Sequence, residues 1–268
     1  MAGVKPFFSI IVVCLNPGEK LKLTLDSIKL QTYNDYEVIV KDGMSTDGSL
    51  ELYITDDERI RLVKEADSSI YDAMNQAMAY ARGEFIYFLN CGDLLFDEHV
   101  LKKVKGKIDE FGEAGIFYGN IYQMITGQEV FSNPKLSRFA CFRHIPCHQA
   151  IFYHAKLLTR HPFVVKYSIK ADYEHFLWCY FHEKVITHYM PFCIASYEGG
   201  GYSEANRELL VLEHKQIVDT YIPKTEIFKY KLIMFLTLAQ LRTWLARGKV
   251  TSGLYNKLKT ILYKGSPR

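Results

Sequence analysis

The chain has 268 residues, 49% of them hydrophobic and 14% aromatic, with a formal net charge of +3. That is enough for one large α/β domain or two intimate halves, and the composition excludes a disordered chain. The charge is split: residues 224–268 carry ten Lys or Arg against the single acid Glu226, a net +9 that leaves −6 for the rest. An acidic body argues against nucleic acid spread along the main fold, while the tail suits an anionic partner. Residues 7–15 form an apolar, β-branched run, as a buried parallel strand does, and Asn16-Pro17-Gly18 ends it. Leu21, Leu25 and Ile28 mark a helix by their spacing. Residues 38–41 and 60–63 read as strands two and three. Apolar or small residues at 70, 73, 74, 77, 78 and 81 mark the best-defined helix.

Strand four covers residues 85–89. Asp97 is placed to cap a helix buried through Val100, Leu101, Val104, Ile108 and Phe111. Strands alternating with helices predict an α/β fold, Rossmann-like, with a mostly parallel central sheet flanked by helices. After residue 113 the pattern changes. Residues 116–125 and 129–131 flank Thr126-Gly127-Gln128 as a hairpin. Residues 170–181 read as a helix with Tyr173, Phe176, Leu177, Tyr180 and Phe181 on one face. Residues 185–197 read as a strand interrupted by Pro191. Glu198-Gly199-Gly200-Gly201-Tyr202-Ser203 is a turn, and helices follow over 204–221 and 225–246. The expected division is 1–115, 116–222 (two halves of one domain) and a tail, 223–268.

Six cysteines (Cys14, Cys91, Cys141, Cys147, Cys179, Cys193) form no Cys-x-x-Cys pair, as reduced, buried thiols would. Met1-Ala2-Gly3-Val4-Lys5-Pro6 has no apolar core, so no signal peptide is expected.

Two strand ends carry an Asp in a Gly-containing turn: Lys41-Asp42-Gly43-Met44-Ser45-Thr46-Asp47-Gly48 and Asn90-Cys91-Gly92-Asp93. Ligands of open α/β sheets bind at that edge. A carboxylate there suits a nucleobase or ribose, so the pair suggests a site for a nucleotide and its metal. These turns, with Phe8-Ser9-Ile10-Ile11-Val12-Val13, Asp67-Ser68-Ser69-Ile70-Tyr71-Asp72-Ala73-Met74-Asn75 and Gly83-Glu84-Phe85-Ile86-Tyr87-Phe88-Leu89, resemble the family 2 glycosyltransferases of the GT-A fold. The bacterial branch that builds surface polysaccharides is the most similar.

The resemblance implies inverting transfer of one sugar from a nucleotide donor, expected to be a UDP-sugar, to a lipid-linked saccharide. It assigns donor binding to Asn16, Asp42, Ser45, Asp67, Asp72, Asn75 and Asn90. A solvated turn also accounts for Asp42, a turn or helix cap for Asp47, and a capping box with Ser69 for Asp72. The family's Asp-x-Asp, which holds Mn2+ or Mg2+ across the diphosphate, is reduced here to Asp93. Asp172, in Lys170-Ala171-Asp172-Tyr173-Glu174-His175, takes the place of the catalytic base, although a helix N-terminus favours an Asp without any such role. His148, Gln149 and Glu174 fall to the acceptor side, where a structural His at a strand start is the plain alternative.

In the tail, residues 232–241 are apolar but short of the roughly 20 residues that span a bilayer. Lys229, Lys231, Arg242, Arg247 and Lys249 alternate with Phe228, Tyr230, Phe235 and Trp244, as on a helix lying on an anionic membrane surface. Gln240-Leu241-Arg242-Thr243-Trp244 does not match the Gln-x-x-Arg-Trp of processive members, which favours single addition. The expected place is the cytoplasm, peripheral on the inner membrane face. The rival reading is an inactive GT-A scaffold bound at the membrane.

Overall fold

The computed structural model describes residues 5–54, 57–112, 115–199 and 206–237. Met1–Tyr221 and Ile222–Arg268 form separate units. The first is built on β1 (Phe8–Cys14), α1 (Glu19–Lys29), β2 (Tyr36–Asp42), α2 (Ser49–Tyr53), β3 (Ile60–Lys64), α3 (Ile70–Met78), β4 (Phe85–Phe88), β5 (Leu94–Leu95) and α4 (Val100–Phe111). There follow β6 (Ile116–Gln123), β7 (Gln128–Val130), α5 (Arg138–Arg143), β8 (Ile151–His154), α6 (Ala155–Arg160), α7 (Ala171–Leu177), β9 (Thr187–Tyr197) and α8 (Arg207–Tyr221). In the second unit α9 covers Lys224–Leu236.

One sheet runs β3-β2-β1-β4-β8-β6-β9-β5, with β7 beside β6. The first four strands are parallel, as the apolar runs predict. Beyond β4 the sheet is mixed. β8 is antiparallel to both β4 and β6, β9 is parallel to β6, and β5 is antiparallel to β9. The carboxyl ends of β1, β2, β4, β6 and β9 therefore share one edge with the amino end of β8.

Side chains alternate across a strand, so each parallel strand feeds two cores. Phe8, Ile10, Val12, Val38, Val40, Phe85 and Tyr87 pack with Leu21, Leu25 and Ile28 of α1 and Val100, Leu101, Val104 and Ile108 of α4. Ile11, Ile39, Ile86 and Phe88 point to the other face, which α3 covers.

Several local expectations shift. Asp97 is not the cap of α4: His99 occupies that position, and Asp97 accepts from His99 N at 2.9 Å and Lys103 Nζ at 2.6 Å in the turn before it. Phe111, the last residue of α4, is exposed. The helix over 170–181 loosens after Leu177 into a π turn, Trp178–His182, so Cys179 is buried where Tyr180 and Phe181 were expected. Pro191 does not break β9. It sits exposed beside a register shift between Tyr118 and Asn120 of β6, a position where a missing N–H costs no ladder bond. A Cβ on Gly119 would stand 2.7 Å from Phe192 O, so only glycine admits the bulge.

All six cysteines are free thiols. Burial pushes each of them up, Cys91, Cys141, Cys147 and Cys193 to about 12 and Cys14 and Cys179 further.

A buried polar knot ties β1, β2 and β4. Ser9 Oγ donates to Glu37 Oε1 at 2.6 Å, Arg82 N donates to the same oxygen at 2.6 Å, and Gly83 N donates to Ser9 Oγ at 2.7 Å. A Cβ on Gly83 would lie 2.4 Å from Ser9 N and 2.7 Å from the Phe8 carbonyl carbon, backbone that cannot move aside. Gly83→Ala is expected to cost about 2 kcal/mol, read as a lower urea midpoint at unchanged slope.

Candidate active site

At the shared edge a cleft of about 410 Å³ opens between five pieces of chain. The turn after β4 supplies Asn90, Cys91 and Asp93, and the segment before β8 supplies His144 to Gln149. The start of α3 supplies Ile70, Tyr71 and Met74, and the approach to α7 with its first turn supplies Ser168, Ile169, Lys170 and Asp172. The end of β9 closes it with Tyr197, Glu198 and Gly199. Of the residues expected in the site, Asn90, Asp93, His148, Gln149 and Asp172 line this cleft.

Asp93 is buried, and its turn is anchored from α1. Thr24 Oγ1 donates to Asp93 O at 3.0 Å and accepts from Gly92 N at 2.9 Å. Asp93 Oδ2 accepts from Gln149 Nε2 at 3.0 Å and Oδ1 from Glu198 N at 2.9 Å. Burial outweighs both bonds and raises the carboxyl to about 6. Glu198 pairs with Lys20 Nζ at 2.7 Å across the same turn.

Asp172 opens α7. Tyr71 shares its hydroxyl between Asp172 Oδ1 and Ile169 O, 2.8 Å from each. Burial, then the Asp172 charge, keeps the Tyr71 phenol protonated, so it donates. Lys170, largely buried in the cleft wall, is lowered by desolvation against the pull of Asp172 and Glu213. His148 is 9% exposed and stacks on Phe88 at 5.3 Å. Both its ring nitrogens and Asn90 Oδ1 are buried without a hydrogen-bond partner. Orphaned polar atoms cost free energy, which a hydrogen-bonding ligand or water at the cleft wall would recover. Burial lowers His148, so it is neutral at pH 7.

The remaining expected residues lie elsewhere. Asn16, Asp42, Ser45 and Asp67 form a network where β1 and β2 end. Asp42 has no exposed surface: Ser45 N donates to Oδ2 at 2.9 Å and Ser45 Oγ to Oδ1. Asn16 N donates to Ser45 Oγ at 2.7 Å, and Thr46 N to Asn16 Oδ1 at 2.9 Å. Asp67 pairs with the fully buried Lys41 at 3.1 Å, whose ammonium also reaches Glu65 O at 2.6 Å. Asp47 tethers the two loops, accepting from Gly18 N at 2.9 Å.

Asp72 caps α3. Ser69 Oγ accepts from Asp72 N at 3.2 Å, and Asp72 Oδ2 accepts from Ser68 N and Oγ at 2.8 Å each, one residue earlier than a standard capping box. Asn75 spends its amide on the Phe163 backbone, at 2.8 and 3.0 Å. Glu174 is buried behind the cleft with Tyr221 OH and, at 2.9 Å, His161 Nε2. Tyr71, Lys170 and Glu198 belong to the cleft although the sequence did not single them out for the site. Glycine 199 is its last described residue there; Gly200 and Gly201 lie outside the described residues.

The profile described as Glycosyl transferase family 2 matches residues 9–175. The chain belongs to that family. PGL/p-HBAD biosynthesis glycosyltransferases of Mycobacterium bovis and Mycobacterium tuberculosis are 35% identical over 204 residues, 74% of this chain and 79% of theirs. Among solved structures, S. aureus TarS 1-349 in complex with UDP superposes with a TM-score of 0.62 at 17% identity, covering 89% of this chain and 78% of that one. The mannosyltransferase PcManGT from Pyrobaculum calidifontis, in complex with GDP-Man and Mn2+, gives 0.64 at 19% identity, over 97% and 82%. The fold of this glycosyltransferase is GT-A.

Among the described residues no three His, Cys, Asp or Glu side chains gather as a ready cation cage. Asp93 and the unpartnered Asn90 Oδ1 are nevertheless hard oxygen donors on one turn, which fits Mg2+ or Mn2+ once a donor diphosphate adds its oxygens. Between the ordinary carboxylate value and about 6, the folded chain keeps the Asp93 proton that the unfolded chain has lost. Stability therefore falls as pH rises through that window. Asp93→Asn removes the buried charge but gives up one of the two accepted hydrogen bonds, so it is expected to be more stable than wild type at pH 7.5 by less than about 3 kcal/mol, and less stable at pH 4. Thermal melts at the two pH values decide this.

Proposed function

We propose that this glycosyltransferase adds one sugar, with inversion, from a UDP-sugar to a hydroxyl of a lipid-linked saccharide in surface polysaccharide synthesis. The carrying observation is that Asp172 and Asp93 line one cleft whose walls hold the unpartnered atoms of His148 and Asn90. Support for the donor class comes from TarS, solved with UDP and with UDP-GlcNAc. The mycobacterial relatives' names place them in PGL/p-HBAD biosynthesis.

Tyr71 occupies Asp172 Oδ1 and leaves Oδ2 to accept the proton of the acceptor hydroxyl. The freed oxygen attacks the anomeric carbon opposite the nucleoside diphosphate. A carbon–oxygen bond forms on one face as the bond to the diphosphate breaks on the other. Lys170 presents a cation to the departing negative charge, and a divalent ion held by Asp93 and Asn90 would supply further charge stabilisation when bound. His148, neutral and unpartnered, offers one donor and one acceptor to the saccharide hydroxyls. The nucleotide is assigned to the Asn16, Asp42, Ser45 and Asp67 network, where the exposed Leu15 and Met44 offer apolar surface to a base. Asp42 reaches a base only if Ser45 releases it. Asp72 and Asn75 serve that region by fixing α3, and Glu174 serves the acceptor side by fixing α7.

The place we propose is the cytoplasmic membrane surface. No helix among the described residues is long and apolar enough to cross a membrane. In the second unit α9 exposes Phe228, Leu232, Ile233, Phe235 and Leu236 beside Lys224, Lys229 and Lys231. Apolar side chains that enter the interface next to lysines that meet anionic headgroups would hold such a protein there. The rest of the basic tail, from residue 238, lies outside the described residues.

Two measurements test the reading. UDP release is followed over a panel of UDP-sugars with a polyprenyl-diphosphate-linked saccharide as acceptor. Asp172→Asn is expected to lose about 10³-fold in turnover while its calorimetric affinity for UDP with Mn2+ holds. Turnover within a few-fold of wild type rejects the base. Preference for GDP over UDP would change the donor, and failure to bind either would favour the inactive scaffold. Changing Lys224, Lys229 and Lys231 to Glu is expected to release the protein from phosphatidylglycerol vesicles in a sedimentation assay, with uncharged vesicles unaffected.

A further inference from the structure

The segment that leads into Asp172 is held by a residue outside the family-matched region. Glu213 of α8 is 3% exposed, and its carboxylate receives three consecutive backbone N–H groups. Ser168 N donates to Oε1 at 2.7 Å, and Ile169 N and Lys170 N donate to Oε2 at 3.0 and 2.9 Å. Hydrogen bonds to a buried carboxylate are short and strong. α7 has only seven residues, and its cap position, Lys170, supplies no side-chain bond to the exposed N–H groups. Nothing local therefore determines where the helix begins. Glu213 does so from another helix, ending its grip two residues before Asp172.

The hold continues on the other side of the same peptide. Ile169 is bound at its N–H by Glu213 and at its carbonyl by Tyr71, and the Tyr71 hydroxyl also meets Asp172 Oδ1. Glu213, Ser168 to Lys170, Tyr71 and Asp172 thus form one chain of contacts. Glu213 is not among the residues that line the cleft, so it has no direct path to substrate.

We propose that Glu213 is a positioning residue: it fixes residues 168–170 so that the Asp172 carboxylate meets the acceptor hydroxyl. The inference rests on the reading of Asp172 as the base. A clamp that served only stability would change melting and leave the chemistry of the surviving enzyme alone. A positioning residue changes turnover in a protein that still folds and still binds its donor.

Glu213→Gln keeps the size but turns one oxygen into an amide nitrogen, which faces a backbone N–H and cannot accept from it. The full-length variant is expected to fold, with donor KM and calorimetric UDP affinity within about twofold of wild type. Its UDP release with the lipid-linked acceptor should fall about 10²-fold, the scale of an ångström's misplacement. Amide exchange at Ser168, Ile169 and Lys170 should quicken. Glu213→Asp, still a carboxylate, should recover part of the turnover. If Asp172→Asn is inactive while Glu213→Gln turns over as wild type, the positioning role is wrong and the base assignment stands. Loss of UDP affinity in step with turnover makes Glu213 structural and overturns the proposal. If Glu213→Gln does not fold, Glu213→Asp decides: quickened amide exchange at residues 168–170 with wild-type turnover overturns it. Full turnover in Asp172→Asn removes the base and the positioning role together.

Discussion

Strand β8 lies between β4 and β6 and runs against both. Its amino end therefore meets the carboxyl end of β4, and the pairing of Tyr87 with Phe152 leaves the turn after Phe88 beside the residues just before Ile151. That reversal is why Asp93 finds Gln149, and why His148 stacks on Phe88. A parallel β8 would send His148 and Gln149 to the far edge of the sheet. β9, parallel to β6, then returns Glu198 to the same edge, where its N–H closes on Asp93. The parallel strands meet β8, which runs against them, at a seam, and the cleft lies there.

The unit also shows how buried ionisable groups are maintained. Lys41 has no exposed surface and is surrounded by carbonyls and Asp67. Glu213 meets three N–H groups and Glu174 a tyrosine and a histidine. These charges are matched by fixed donors or acceptors, as burial demands. Asp93 is the exception, since two hydrogen bonds do not repay its desolvation. The imbalance falls at the cleft with the unpartnered Asn90 and His148 atoms, where stability is given up for binding capacity.

Much of the first half was legible because parallel strands and their helices write strong patterns. The run from Phe8 to Cys14, the α3 stripe and the two Asp turns each appear where the residues put them. Short elements carry too little periodicity to read: β5 has two residues, and α2, α5 and α6 have five or six. The antiparallel return of β8 is a tertiary choice that an apolar tetrapeptide cannot announce. In the site, motif position identified Asp93 and Asp172 but could not show that Asn75 and Asp72 spend their polar atoms on backbone. Glu213 was invisible for the same reason, because a lone Glu on an amphipathic helix looks like a solvated residue until the fold brings Ser168 to it.

The cysteines have a practical reach beyond the site. A thiol raised to about 12 or higher carries almost no thiolate at neutral pH, and thiolate is the species that alkylates or oxidises. All six should therefore react sluggishly with maleimides in the native state. One new cysteine on an exposed position such as Leu52 of α2 would be the preferred point of attachment for a fluorophore or spin label. The native chain offers a background for distance measurements without first being stripped of its own sulfur.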